Sequence, residues 1–276
     1  MPLDAFREAN RKNWNDRVPV HLEAWGYSMA KFVEDPNYIA DGVEIQRSEL
    51  GSVEGKSLLH LQCQLGTDAL SWARLGASVT GMDFSERAIA AAKKLFEDCN
   101  TPGRFFVAEL YESRSVLNEQ FDIVYTGGGA LIWLPDIKGW AKVMSAFLKP
   151  GGTFYINDFH PVMLSLDLGR DDGLLSITRN YFETDEPESI DEATSYAGSG
   201  VISNTRHFNW NHGIGEITTA LIDAGLRIEF VREFQFVGYQ GVPALEKPDE
   251  DWWRLPDHRE RLPLAFSIRA VKEAHT

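Results

Sequence analysis

An α/β fold is what this sequence predicts: a doubly wound, mostly parallel sheet with helices on both faces. Three observations predict it. Strand-like and helix-like segments alternate about five times between residues 57 and 157. The strand segments are short apolar runs, as in strands buried on both faces. Each ends in polar or glycine residues, where a chain can turn.

The elements follow in order. Residues 1 to about 50 are predicted helical, with Phe6, Trp14, Val18 and Leu22 as apolar anchors and a break at Asp35-Pro36-Asn37. Ser57 to Leu61 is a buried strand, and Thr67 to Leu75 is a helix stopped by Gly76. A second strand from Ser78 ends at Asp83. Ser85 caps the next helix, ERAIAAAKKLFEDC, which is rich in strong helix formers. Arg104 to Val107 and Phe121 to Tyr125 are strands three and four, the latter running into Gly127-Gly128-Gly129. Pro135 suits a helix start, with Trp140, Val143, Met144 and Phe147 on one face. Pro150-Gly151-Gly152 is a turn before a fifth strand, Thr153 to Asn157. Gly213 to Ala224 is a further helix, and Leu226 to Phe236 and Leu264 to Ala270 are strands. Residues 162–211 interrupt the alternation with the polar stretches DDGLL and TDEPESIDE. We therefore expect one domain over 1–276: a helical lid (1–50), a core (51–161), a cap insertion (162–211) and a C-terminal helix and strands (212–276).

Bulk composition narrows the function. The chain has 276 residues, 43% hydrophobic and 25% charged, with a net charge of −14. Phosphate neutralisation needs Lys/Arg surfaces, so nucleic acid is not the expected partner. Two cysteines, Cys63 and Cys99, make no disulfide framework and suit a reducing cytoplasm. The polar N-terminus is no signal peptide, and no apolar run approaches the ~18 residues of a membrane span. The expected location is cytoplasmic, as a monomer or homodimer.

In an open parallel sheet, ligands sit beyond the carboxyl ends of the strands. The loop after strand one is Gln62-Cys63-Gln64-Leu65-Gly66-Thr67-Asp68, where Gly66 permits a turn and close backbone approach. Asp83, at the end of strand two, can accept hydrogen bonds from two ribose hydroxyls, with Phe84 and Ser85 flanking an adenine. Ala108, Glu109 and Leu110 follow strand three, and Glu109 can accept from an adenine amino group. Thr126, Gly127 and Gly128 follow strand four and leave room for a ligand.

Five stretches taken in order, LLHLQCQLGTD, VTGMDFSERAIAAAKKL, FVAELYE, FDIVYTGGGALIWLPD and LKPGGTFYINDFHP, resemble class I methyltransferases that use S-adenosylmethionine. The resemblance covers residues 55 to 160, and more loosely 213 to 270. It implies a Rossmann-like, seven-stranded sheet whose final strand, Leu264 to Ala270, is antiparallel. It implies S-adenosylmethionine as cofactor and S-adenosylhomocysteine as product, with contacts from the first loop, Asp83, the Ala108-Glu109 edge and Thr126-Gly127. It also implies that the N-terminal helical flap, carrying Trp14 and His21, closes over the cofactor. The sequence departs from the family in its first loop. His60 stands where an acid is usual, Gln62 and Gln64 stand where two glycines are usual, and only Gly66 remains. Two readings of the glutamines stay open: hydrogen bonding to the methionine end of the cofactor, or shaping the loop.

On the acceptor side, His160 follows the fifth strand, and His207 and His212 precede the late helix. With a reference pKa near 6.5, each is a candidate base. The three histidines lack a metal-ligand spacing, and no metal is expected. Tyr181, Tyr196, Trp210, Trp252 and Trp253 are candidates for an apolar acceptor pocket. The expected function is methyl transfer from S-adenosylmethionine to an oxygen or nitrogen of a small molecule. The alternatives are a non-catalytic binder of S-adenosylmethionine or S-adenosylhomocysteine, a nucleotide-dependent oxidoreductase, which would need G-x-G-x-x-G in place of Q-x-Q-x-G, and a methyltransferase of protein or nucleic acid.

Overall fold

The computed structural model describes residues 3–24, 27, 29–198, 200–248, 252–257 and 259–274. Its elements are α1 (Leu3–Glu23), α2 (Met29–Glu34), α3 (Asp41–Leu50), β1 (Ser57–Leu61), α4 (Thr67–Arg74), β2 (Ser78–Asp83), α5 (Glu86–Asp98), β3 (Arg104–Val107), α6 (Ser113–Val116), β4 (Phe121–Gly127), α7 (Ile137–Phe147), β5 (Leu148–Phe159), α8 (Pro161–Leu164), β6 (Glu188–Asp191), β7 (Arg206–Asn209), α9 (Ile214–Asp223), β8 (Leu226–Phe234) and β9 (Ala265–Lys272). Seven strands form one sheet in the order β3-β2-β1-β4-β5-β9-β8. The first five run parallel, and β9 is antiparallel to both its neighbours. The strand order reverses between β1 and β4, which opens a crevice at their carboxyl ends.

Buried side chains cover both faces of the sheet. On one face Trp140, Met144 and Phe147 of α7 and Leu221 of α9 pack with Phe154, Phe266 and Ile268. On the other, Val43 of α3, Trp72 of α4 and Ile89 and Phe96 of α5 pack with Leu58, Tyr125 and Tyr155. Local chemistry sets the helix starts: the Ser85 hydroxyl accepts from the Ala88 N–H, and the Asp136 carboxylate accepts from the Gly139 N–H at 2.8 Å. Asp136 thus caps α7, and Pro135 lies before it.

The N-terminal helix differs from its prediction. Phe6 and Val18 are buried, but Leu22 is 39% exposed at the helix end. The helix is held by polar groups as much as by apolar ones. The Asn10 side chain donates to Phe208 O and accepts from Phe208 N, both at 2.8 Å, copying a strand pairing against β7. Asn13 donates to Asn204 O at 2.7 Å, and the buried Arg17 donates to Asn13 at 2.6 Å. Amide side chains on a helix carry no apolar period, so the pattern of Phe6, Trp14, Val18 and Leu22 does not describe how α1 is held.

The insertion after β5 carries the hairpin of β6 and β7. A second segment, between β8 and β9, was not foreseen. Val237, Val242, Leu245 and Leu255 from it join Met163, Leu166 and Leu264 in a separate apolar cluster. These residues follow neither helical nor strand spacing, so periodicity is silent about them.

Asn10→Ala would leave the buried N–H and C=O of Phe208 unpaired. We expect a loss of about 2 kcal/mol or more in urea unfolding. A change within measurement error would mean that α1 is not held by this pairing.

Candidate functional site

A cavity of about 880 Å³ lies at the carboxyl ends of the strands, over the reversal point. Its floor is made by Leu61 to Gln64 after β1, Met82 to Phe84 around the end of β2, Ala108 to Leu110 after β3, and Gly127 to Ala130 from the end of β4. Its upper wall comes from α1 (Trp14), the insertion (Tyr196), and the β8–β9 segment (Tyr239, Trp252, Trp253).

The first loop is built on left-handed backbone. Gln62, Gln64 and Gly66 have φ of 59°, 48° and 79°. A side chain at Gly66 would drive its Cβ to 2.8 Å from the Ala92 Cβ of α5, so this position accepts only glycine on steric grounds. The curl turns the Gln64 N–H onto Asp83 Oδ2 at 3.0 Å, while the Ser85 N–H reaches Oδ1 at 2.9 Å. Asp83 is therefore a carboxylate at a strand tip, facing the cavity and braced by backbone donors. Burial pushes its pKa up to about 6 against the opposing pull of those donors. Each oxygen retains a lone pair for a further donor.

The loop after β4 has a matching brace. Asp158 accepts from Gly129 N at 2.5 Å, Leu131 N at 3.1 Å and Phe159 N at 2.7 Å, and burial pushes it up to about 6. This residue was not singled out in the sequence, although it stands at the end of the fifth strand where a brace belongs.

Both glutamines are engaged by the protein. Gln62 donates to Ala130 O at 2.9 Å and lies 3.4 Å from the Thr126 hydroxyl. Gln64 donates to His21 Nδ1 at 3.0 Å and to the Tyr27 hydroxyl at 2.8 Å. His21 is buried, with Nε2 2.8 Å from the Ser195 hydroxyl. Burial, reinforced by the Arg17 charge, depresses His21 to about 3, so it is neutral. One imidazole thus links α1, the first loop and the insertion. Of the two readings of the glutamines, the loop-shaping one has a structural counterpart.

The structure brings Trp14, Gln62, Cys63, Gln64, Asp68, Asp83, Phe84, Ala108, Glu109, Leu110 and Gly127 to the cavity wall. Asp68 sits 2.8 Å from the Tyr125 hydroxyl and is raised by burial. Glu109, raised by burial against the lowering effect of Arg7 at 3.1 Å, also caps a turn at Tyr111 N. Gly66, Ser85, Thr126 and His21 stand behind the wall, where they shape the turn, cap α5, buttress Gln62 and link the lid. Trp133 was missed. It lines the cavity edge-on to Trp14 at 5.3 Å, in a short helical turn after the three glycines.

The three histidines expected as bases are not on the cavity wall. His160 caps α8: its Nδ1 accepts from Val162 N at 3.1 Å, and its Nε2 lies 2.9 Å from Glu233. His207 sits behind Trp133 with Nδ1 near Thr205 O, and burial, followed by the Arg17 charge, lowers it to about 4. His212 donates to Leu134 O at 2.8 Å. None of the three lines the cavity, and each has at least one ring nitrogen beside a neighbour of its own, which removes all three as cavity bases. His60 does line the cavity, but burial lowers it to about 3 under the ring of Tyr125.

Residues 58–152 match a family model described as a methyltransferase domain. A curated methyltransferase of Synechocystis without a known role is 31% identical over 107 residues, 38% of this chain and 48% of that protein. A ubiquinone biosynthesis O-methyltransferase of Bordetella avium is 27% identical over 107 residues, 39% of this chain and 44% of its own length. The chain therefore spans a little under half the length of the curated relatives it matches. Among solved structures, an S-adenosylmethionine-dependent methyltransferase of Mesorhizobium loti superposes with a TM-score of 0.58 at 23% identity, covering 84% of this chain and 98% of that one. The glycopeptide N-methyltransferase MtfA, complexed with S-adenosylmethionine, gives 0.54 at 16% identity, covering 84% and 92%. The chain carries the class I methyltransferase fold. The matched family segment coincides with the braced floor of the cavity, while the upper wall lies outside it.

Two outcomes follow. Gln64→Gly keeps a residue suited to φ 48° but removes the bonds to His21 and Tyr27. Hydrogen exchange in α1 should quicken while exchange in β1 and β4 is unchanged; equal rates in α1 would remove Gln64 as a lid anchor. His60 binds its proton more readily unfolded (about 6.5) than folded (about 3). Its contribution to stability is therefore complete above about pH 6.5 and lost as pH falls toward 3. His60→Leu should gain on the wild type by about 1 kcal/mol per pH unit in unfolding experiments between pH 6 and 5. A constant difference would refute the depressed pKa.

Proposed function

We propose that this protein transfers a methyl group from S-adenosylmethionine to an oxygen or nitrogen of a small molecule with a flat, partly apolar body. The observation that carries the reading is Asp83: a buried carboxylate at the tip of β2, beside a left-handed loop and over a roomy cavity. The residues present fit this cofactor. Asp83 would accept from the ribose hydroxyls with the lone pairs its backbone donors leave free. Phe84 and Leu110 would bound the adenine, and Glu109 would accept from its amino group. A Cβ at Gly128 would meet nothing within 4 Å, so the floor there stays open toward the methionine end. S-adenosylmethionine, when bound, supplies an electrophilic methyl on a sulfonium.

The chain's own residues bind, orient and exclude water. Trp14 and Trp133 meet over the floor, and the His21–Gln64 contact holds α1 down beside them. The upper wall supports a flat acceptor: Phe159 and Tyr239 lie 4.6 Å apart, with Trp252 and Trp253 beyond them. Such a transfer depends on alignment, with the attacking atom held about 3–3.5 Å from the methyl. A base matters only where the acceptor must lose a proton. The net charge of −14 supports a small molecule over nucleic acid.

Calorimetry with S-adenosylhomocysteine tests the cofactor half. Asp83→Ala should weaken binding roughly tenfold or more, since a hydrogen bond to a charged group contributes about 1.5–3 kcal/mol. Unchanged affinity in a folded variant would overturn the site. Methyl transfer to a panel of phenols and aromatic amines tests the acceptor half; tight cofactor binding with no turnover on any acceptor would favour a binding protein.

A further inference from the structure

Among the described residues, one cluster of metal-ligand-type side chains lies away from the cavity wall: Glu183, His212 and Glu216. Glu183 comes from the insertion, His212 from the turn before α9, and Glu216 from the first turn of α9. Their donor atoms all lie within 4.8 Å of one another.

His212 makes this more than an acidic cluster. Its side chain is 1% exposed. The Nε2–H donates to Leu134 O at 2.8 Å, which leaves the lone pair of the neutral ring on Nδ1. That Nδ1 is buried and has no hydrogen-bond partner among the described residues. The atom it faces is Glu183 Oε2 at 3.5 Å, another acceptor. Two acceptors aimed at each other, one of them on a buried ring, are unfavourable unless a proton or a metal cation joins them.

We propose that Glu183, His212 and Glu216 bind a divalent transition-metal ion of the zinc type. One imidazole nitrogen and two carboxylate oxygens are a donor set zinc accepts, with a fourth position for water. The Leu134 carbonyl on Nε2–H is the kind of partner that orients a metal-binding histidine. Tetrahedral donors at about 2.0–2.1 Å from zinc lie roughly 3.4 Å apart, so closing the site asks for a modest inward swing. Glu183 is 28% exposed and free to make it. Glu216 already accepts from Gly213 N at 3.0 Å through Oε2, and a carboxylate has lone pairs left for a metal.

The site would act as a clasp. The Tyr181 hydroxyl accepts from Ile214 N at 3.2 Å, so the insertion already touches the start of α9. An ion bridging Glu183 to His212 and Glu216 would fasten it there. Through Leu134, which lines the cavity, the clasp borders the cavity wall. His212 and Glu216 stand four apart in the sequence, but Glu183 belongs to another segment, so spacing alone gave no sign of it.

The test uses tag-free, full-length protein stripped with chelator, dialysed and titrated with zinc chloride by calorimetry near pH 7. We expect one equivalent to bind, a rise in melting temperature that chelator reverses, and roughly tenfold or greater weakening in Glu183→Gln and in His212→Gln. Glu183→Gln decides the matter, because Gln keeps the shape of this half-buried side chain, whereas Glu216 doubles as a helix cap. Equal zinc affinity in the wild type and Glu183→Gln would overturn the proposal. So would no binding at all. Binding of S-adenosylhomocysteine, measured on the same samples, reports separately on the methyltransferase reading, on which this site does not depend.

Discussion

Burying a carboxylate without a cation forces the backbone to come to it. Asp83 and Asp158 sit at the tips of β2 and β5, each almost fully covered, and among the described residues neither is hydrogen-bonded to a basic side chain. Their hydrogen bonds come from peptide N–H groups, and those groups belong to the loops that form the cavity floor. The curl at Gln64 and the turn at Gly129 are the shapes that present those donors. Burial holds both carboxyls near 6, well above the usual carboxylate range, so part of the bracing is offset by desolvation. The result is a floor set before any ligand arrives, which is what a site that works by alignment requires.

The two halves of the cavity have different origins. The floor comes from the loops that join strands and helices in the alternating core, and the family match falls on that part. The roof comes from α1, the insertion and the β8–β9 segment, which meet through His21, Tyr196 and Tyr239. On the proposed function, this division would let one half hold the cofactor and the other the acceptor. The clasp proposed at His212 lies on the side of the roof.

Strand and helix positions were legible because each core element obeys a short-range rule. Ser57–Leu61 and Arg104–Val107 are uninterrupted apolar-rich runs with polar ends, and the structure has strands at those residues. The floor residues were legible because position at a strand end is a topological fact. The roof was not. Asn10 copies a backbone pairing with its side chain, and nothing in a run of residues announces that. The histidines misled for a related reason: type and chain position suggested a base, but Val162, Thr205 and Leu134 had already engaged them. Asp158 and Trp133 were missed because a brace and a wall residue look, in sequence, like any acid or aromatic after a strand.

The first loop shows how two glutamines can occupy backbone that glycine adopts more easily. A non-glycine residue held in the left-handed region costs on the order of 1–2 kcal/mol. Gln62 and Gln64 both stand there. Glycine would avoid that cost but would offer no side chain. Here Gln62 ties the first loop to the Ala130 carbonyl after β4, and Gln64 ties it to His21 and Tyr27. Each bond contributes about as much as the strain it offsets, so the exchange is close to neutral in stability. What changes is connectivity. The loop that would hold the cofactor becomes mechanically joined to α1, and through His21 and Ser195 to the insertion as well. A glycine-rich loop at these positions would leave lid and floor to move independently; this one couples them.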